Sequence, residues 1–189
     1  MRARWLWGLA MCTCVASAWT APAQSREATE TARVAVAFTD RVQAYVVLQK
    51  TLEGAAQKST AESGRIADHK HELARSIAAA RRDSHQGDIF TPDVSALFER
   101  IISSAFKGSE GRRMRRTILE GDPVPPTVLR VNEVYPEEIP VTTTPPTLLR
   151  RLPSLPEELA YRIVGRALVL QDIKTNLIVD FMPDAIRVP

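Results

Sequence analysis

The sequence predicts an α+β fold, mainly α, and three observations predict it. Apolar residues recur at three- and four-residue steps through residues 27–119, nine of the thirteen prolines crowd between Pro123 and Pro156, and the period falls to two over residues 157–189. At 189 residues the chain is long enough to bury a core of its own and suits one domain of ordinary size.

Each element follows in order. From about Glu27 to Ala56, Val34, Phe38, Val42, Tyr45 and Leu52 form one stripe with Leu48 beside it, the pattern of an amphipathic helix. A second helix, about Ser59 to Ser84, carries Ile66, Leu73, Ile77 and Ala80 on one face, with HKHE and the pair Arg81 and Arg82 elsewhere. Gly54 and the polar QKST are expected to reverse the chain between them, giving a helical hairpin. In GDIFTPDVSALFERIISSAF, Thr91 is placed to cap, Pro92 to open and Gly108 to close a third helix lined by Val94, Leu97, Phe98, Ile101, Ile102, Ala105 and Phe106. A shorter fourth helix is expected around Arg112 to Leu119. These helices make up residues 24–120.

No long helix crosses the prolines, so residues 121–156 are expected to be an extended, proline-rich segment that wraps the helices, with one helical turn starting near Thr147. Residues 157–189 are expected to form a β-hairpin packed on the helices as one cooperative domain with 24–120. Its inward residues, by odd parity, are Tyr161, Ile163, Ala167 and Val169 in the first strand and Leu177, Val179 and Phe181 in the second. A further strand is expected near Val128 to Tyr135.

The first residues predict where the protein is sent. Arg2 and Arg4 precede the apolar run WLWGLAMCTCVASAW, and Ala21 to Ala23 supply small residues for cleavage, so residues 1–23 are expected to be a cleaved signal peptide. The run is shorter than the roughly 20 residues a membrane span needs, so no transmembrane span is expected after cleavage. Cys12 and Cys14 would leave with it, removing disulfide and thiolate chemistry. The alternative is a lipoprotein anchored at Cys12, although Met11 stands where a small residue is wanted. Cleavage takes the basic count from 25 to 23 against 22 acidic residues. A chain so close to neutral is not expected to bind nucleic acid by neutralising phosphates.

VNEVYPEEIP, PPTLLRRLPSLPEEL and YRIVGRALVLQDIKTNLIVDF resemble the C-terminal part of exported bacterial proteins that carry no assigned activity, over about 60 residues. The resemblance implies an exported bacterial source, and it brings no substrate, cofactor or catalytic residue with it.

Two candidate sites remain. With Lys174, Thr175 and Asn176 as a three-residue loop and Ile173 facing Leu177, Asp172 and Asp180 become diagonal neighbours on the mixed face, about 5.5–8 Å apart, a separation at which glycosidases place paired carboxylates. The plainer reading makes them, with Arg162 and Arg166, a solvated or salt-bridged outer face. The second candidate is RRMRR: Arg112, Arg113, Arg115 and Arg116, with Lys107, Met114, Ile118 and Leu119 nearby, suit contact with an anionic envelope surface, against a plainer reading as solvated arginines. No metal or other cofactor is expected, because His69 and His71 lie on opposite sides of a helix and only Asp68, His71 and Glu72 share a face. No G-x-S-x-G elbow or Gly-rich phosphate loop occurs, and Ser84 and His85 diverge as adjacent side chains do.

Three functions stay open: an exported, non-catalytic envelope protein that binds or scaffolds a partner, a hydrolase using Asp172 and Asp180, and a helical-hairpin periplasmic chaperone. The sequence leans away from an enzyme.

Overall fold

The apolar stripe at Val34, Phe38, Val42 and Tyr45 is buried along one side of a 40-residue helix, α1 (Ala21–Thr60). The computed structural model describes residues 21–60, 66–120, 129–136 and 144–187, with backbone alone at 21–24, 56–60 and 66–68. Residues 1–20, which carry both cysteines and most of the expected signal peptide, lie outside them. The reversal expected at Gly54 and QKST does not occur, for α1 runs through both. One exposed glycine costs a helix only about 1 kcal/mol, less than the preceding packed turns contribute. Residues 61–65, between α1 and α2, lie outside the described residues.

In α2 (Ile66–Ala80), Leu73, Ala74 and Ile77 are buried against α1, whereas Ala80 is exposed and the side chain of Ile66 lies outside the described residues. The third helix, α3 (Pro92–Ala105), buries Val94, Leu97, Phe98, Ile102 and Ala105. Thr91 holds the N-cap position, but its side chain makes no capping bond; instead Ser95 N–H donates to Thr91 O at 2.7 Å and the Ser95 hydroxyl to Phe90 O at 2.9 Å. Gly108 does not close α3. Phe106 caps that helix, and Gly108, at φ 74°, opens α4 (Gly108–Leu119).

The corner between these two helices depends on one missing methyl group. A Cβ on Gly111 would lie 2.5 Å from Ala105 O and from the Phe106 carbonyl carbon, and both obstacles are backbone. Gly111→Ala is therefore expected to push α4 away from α3 and to cost about 1–3 kcal/mol, read as a lowered thermal midpoint.

One turn of helix, α5 (Pro146–Leu149), lies inside the proline-rich segment as expected and inserts Leu148 against α3. Two further bonds fasten this segment to the sheet. The Thr144 hydroxyl donates to Tyr161 O at 3.0 Å, and the Tyr161 hydroxyl donates to Pro153 O at 2.9 Å.

The C-terminal sheet has three antiparallel strands, β1 (Leu159–Val164), β2 (Ala167–Asp172) and β3 (Ile178–Met182), in the order β1-β2-β3. What periodicity presents as one strand from Tyr161 to Val169 is thus two, divided at Gly165 and Arg166, with Gly165 at φ 57°. A two-residue turn inverts parity: Tyr161 pairs with Leu170 and Ile163 with Leu168, so β2 turns its even residues to the helices. Ala167 and Val169 go to the opposite face, where they pack with Tyr135, Val164 and Ile178, and Phe181 packs there too. The strand expected near Val128 to Tyr135 is a single bridge, Val134 to Leu177, backed by Tyr135 N–H to Asn176 O at 2.9 Å; Val128 lies outside the described residues.

All these elements meet in one core. Phe38, Phe90, Phe98 and Tyr161 form its aromatic centre, joined by Leu73, Ile77, Leu148, Ile163, Leu168, Leu170 and Ile186. Among the described residues no helix is long and apolar enough to cross a membrane.

Candidate functional site

Inverted parity decides the fate of the two aspartates. Asp172 stands opposite Leu159 and Asp180 opposite Leu170, so both point toward the helices, and both are 0% exposed. They form neither a solvated face nor a salt-bridged one. Arg162 bonds Gln171 at 3.0 Å and Arg166 pairs with Asp184 at 3.0 Å.

Asp172 folds its own turn. Its Oδ1 accepts the N–H groups of Lys174 at 2.9 Å and Thr175 at 2.8 Å, while its backbone accepts Asn176 N–H and donates to Leu177 O. The loop is therefore Ile173 to Asn176, one residue longer than expected: Asp172 rather than Ile173 faces Leu177, and Ile173 is exposed. Asn176 takes the left-handed conformation, φ 62°, that its side chain favours. The other oxygen, Oδ2, accepts the Tyr45 hydroxyl at 2.7 Å and Gln49 Nε2 at 2.9 Å, tying α1 to the sheet. Lys50 to Glu158 at 2.5 Å and Lys174 to Glu53 add two ion pairs across the same junction.

Asp180 binds a different segment. Its Oδ1 accepts Gly87 N–H and Phe181 N–H, both at 2.8 Å, and its Oδ2 accepts Ile89 N–H at 2.8 Å and Phe90 N–H at 2.7 Å. Gly87 reaches this carboxylate at φ 95°, a conformation open to glycine. The loop ahead of α3 thus wraps its amides around one side chain.

Arg81 lies between these anchors. It donates to Asn132 Oδ1 at 2.8 Å and Val179 O at 3.0 Å, and its guanidinium stands 5.0 Å from the Tyr45 ring centroid. Desolvation pulls its pKa down, opposed by Asp180 and Asp88. The helical stripe of α2 gave no hint of this role. On Tyr45, burial first and Asp172 second push the phenol pKa well above its ordinary value, and burial alone does so for Tyr161.

These shifts carry a sign. A phenol whose folded pKa is raised contributes stability that is complete below the unfolded value of about 10 and is lost as pH rises past it. Urea unfolding from pH 8 to 11.5 is expected to show stability falling above about pH 10 by up to about 1.4 kcal/mol per pH unit for each of the two tyrosines. Tyr161→Phe is expected to remove its share of that slope.

As chemistry, the aspartate pair is closed. A general acid or base needs an oxygen within reach of a substrate proton, but each carboxylate is fully buried and already accepts four hydrogen bonds.

RRMRR is open. On α4 the packed side is Gly111, Met114 and Ile118, with the Thr147 hydroxyl 3.1 Å from Met114 Sδ. Arg112, Arg113 and Arg116 are exposed and Arg115 is partly so, and among the described residues none of the four forms an ion pair. Arg112 and Arg115, one turn apart, line a cleft with Lys107, Glu99 and Arg187, whereas Arg113 and Arg116 lie outside it. Among the described residues no group of three or more His, Cys, Asp or Glu side chains is placed to hold a metal. His71 instead lines a groove with Arg75 and Asn132, and the side chain of Asp68 lies outside the described residues. Compared with family models, curated proteins and solved structures, the chain matches none.

Proposed function

We propose that the chain is an exported, non-catalytic protein of the cell envelope that binds an anionic surface or partner through the arginine side of α4. One observation carries the reading: three exposed arginines and the half-buried Arg115 stand without an ion-pair partner among the described residues, on a helix whose other side is fixed to the core by Gly111, Met114 and Ile118. Unpaired like charges on one helix repel one another, and an external anion relieves that repulsion. The N-terminal Arg2, the apolar run and Ala21 to Ala23 support export. The hydrolase alternative needs a carboxylate available to substrate, and Asp172 and Asp180 have none to offer.

Vesicle flotation tests the reading. At low salt the protein is expected to float with vesicles rich in anionic lipid and not with zwitterionic ones. Near an anionic surface each basic side chain contributes about 1 kcal/mol, so replacing Arg112, Arg113, Arg115 and Arg116 by alanine is expected to weaken binding by about a thousand-fold. Absence of binding at low salt overturns the surface reading. N-terminal sequencing of the exported protein, expected to begin at Gln24, tests the remainder.

A further inference from the structure

We propose that the cleft between α3, α4 and the C-terminal residues is a site for a phosphate group, clamped between Arg112 and Arg115 on one wall and Arg187 on the other. The inference rests on the reading of α4 as the anion-binding element and narrows it to one place and one chemistry. Four cations, Lys107, Arg112, Arg115 and Arg187, line the cleft with a single carboxylate, Glu99. Its volume of about 290 Å³ admits a phosphate group, and its floor includes the buried side chains of Ile102 and Phe106.

The walls are held in place. Arg187 follows Ile186, which is fully buried and donates its N–H to Arg166 O at 3.0 Å, while Lys107 N–H donates to Ser104 O at 3.3 Å at the entry to α4. Guanidinium groups one helical turn apart suit a tetrahedral oxyanion, because each presents paired N–H donors in one plane. The apolar side chains of Ile102 and Phe106 and the concave shape strengthen the field felt by a bound anion relative to an open surface. Glu99 already occupies one such donor set, pairing with Arg187 at 2.7 Å. A phosphate entering the cleft competes with that carboxylate, so Glu99 weakens the site it stands in.

Calorimetric titration of the purified protein with inorganic phosphate at low ionic strength tests this, alongside flotation with vesicles containing phosphatidic acid or, at equal surface charge, phosphatidylglycerol. Saturable phosphate binding is expected, weakened at least about ten-fold by the double variant R112Q/R115Q or by R187Q and unchanged by R150Q/R151Q, which removes two exposed arginines outside the cleft and off α4. Glu99→Gln is expected to tighten it about three-fold, an effect that damage to the fold does not produce. If R187Q, which leaves the arginines of α4 in place, also releases the protein from phosphatidic acid vesicles, the phosphate belongs to a lipid headgroup; if it abolishes phosphate binding alone, the source is soluble, and both results support the site. Absence of saturable phosphate binding, or equal losses in R150Q/R151Q and R112Q/R115Q, overturns the cleft site. The anionic-surface reading then stands or falls separately on vesicle binding.

Discussion

Asp180→Asn is expected to destabilise the protein by about 3 kcal/mol, enough to lower its thermal midpoint by roughly 6–12 °C. The substitution preserves shape and removes one acceptor. If the amide nitrogen takes the Oδ2 position, it faces the N–H groups of Ile89 and Phe90; if it flips, it faces those of Gly87 and Phe181. Either way two donors lose their acceptor and meet a third, and backbone donors buried without a partner cost about 1–3 kcal/mol each. A hydrolase using this residue predicts a different result, loss of turnover at an unchanged melting temperature. Differential scanning calorimetry of Asp180→Asn separates the two, and an unaltered midpoint would remove Asp180 from the structural role assigned here.

Phe98→Ala is expected to cost about 4 kcal/mol, the largest effect of any single side-chain truncation proposed. Phe98 is fully buried, and its ring lies 5.0 Å from that of Phe38, 5.3 Å from Phe90 and 5.9 Å from Tyr161, centroid to centroid. Those partners come from α1, the loop ahead of α3, and β1. A cavity at their meeting point cannot close by shifting one element, because each is pinned elsewhere: α1 and the loop by the two aspartates, and Tyr161 by Pro153. Denaturant unfolding gives the cost directly. A loss under about 1 kcal/mol would mean that the surrounding rings relax into the space.

Much of the architecture was legible because helices announce themselves by repetition. Val34, Phe38, Val42 and Tyr45 sit one helical step apart, and all four are buried. The sheet was harder for a physical reason: strand periodicity says which residues alternate but not where the chain reverses, and one glycine at 165 with positive φ exchanged the two faces of β2. That exchange carried the aspartates from the expected outer face to the inner one. Their partners were illegible for another reason, since five of the eight donors are backbone N–H groups outside the turn's own sequence pattern or side chains more than 120 residues away. One signal was present. Gln49 follows Tyr45 by one helical turn on the apolar side of α1, and a polar residue there asks for a polar partner, which is Asp172. The arginines of α4 were visible from composition, but their cleft was not, because Arg187 reaches it from the other end of the sequence.

The two carboxylate anchors also set a timetable. Tyr45 waits for a residue 127 positions later, and the amide of Ile89 for one 91 positions later. During synthesis, α1, α2 and α3 can coil as they emerge, but the ties that lock them together are carried by β2 and β3, which are made after nearly everything they bind. A nascent chain of this sequence stays short of its native state until β2 and β3 exist, however early its helices coil.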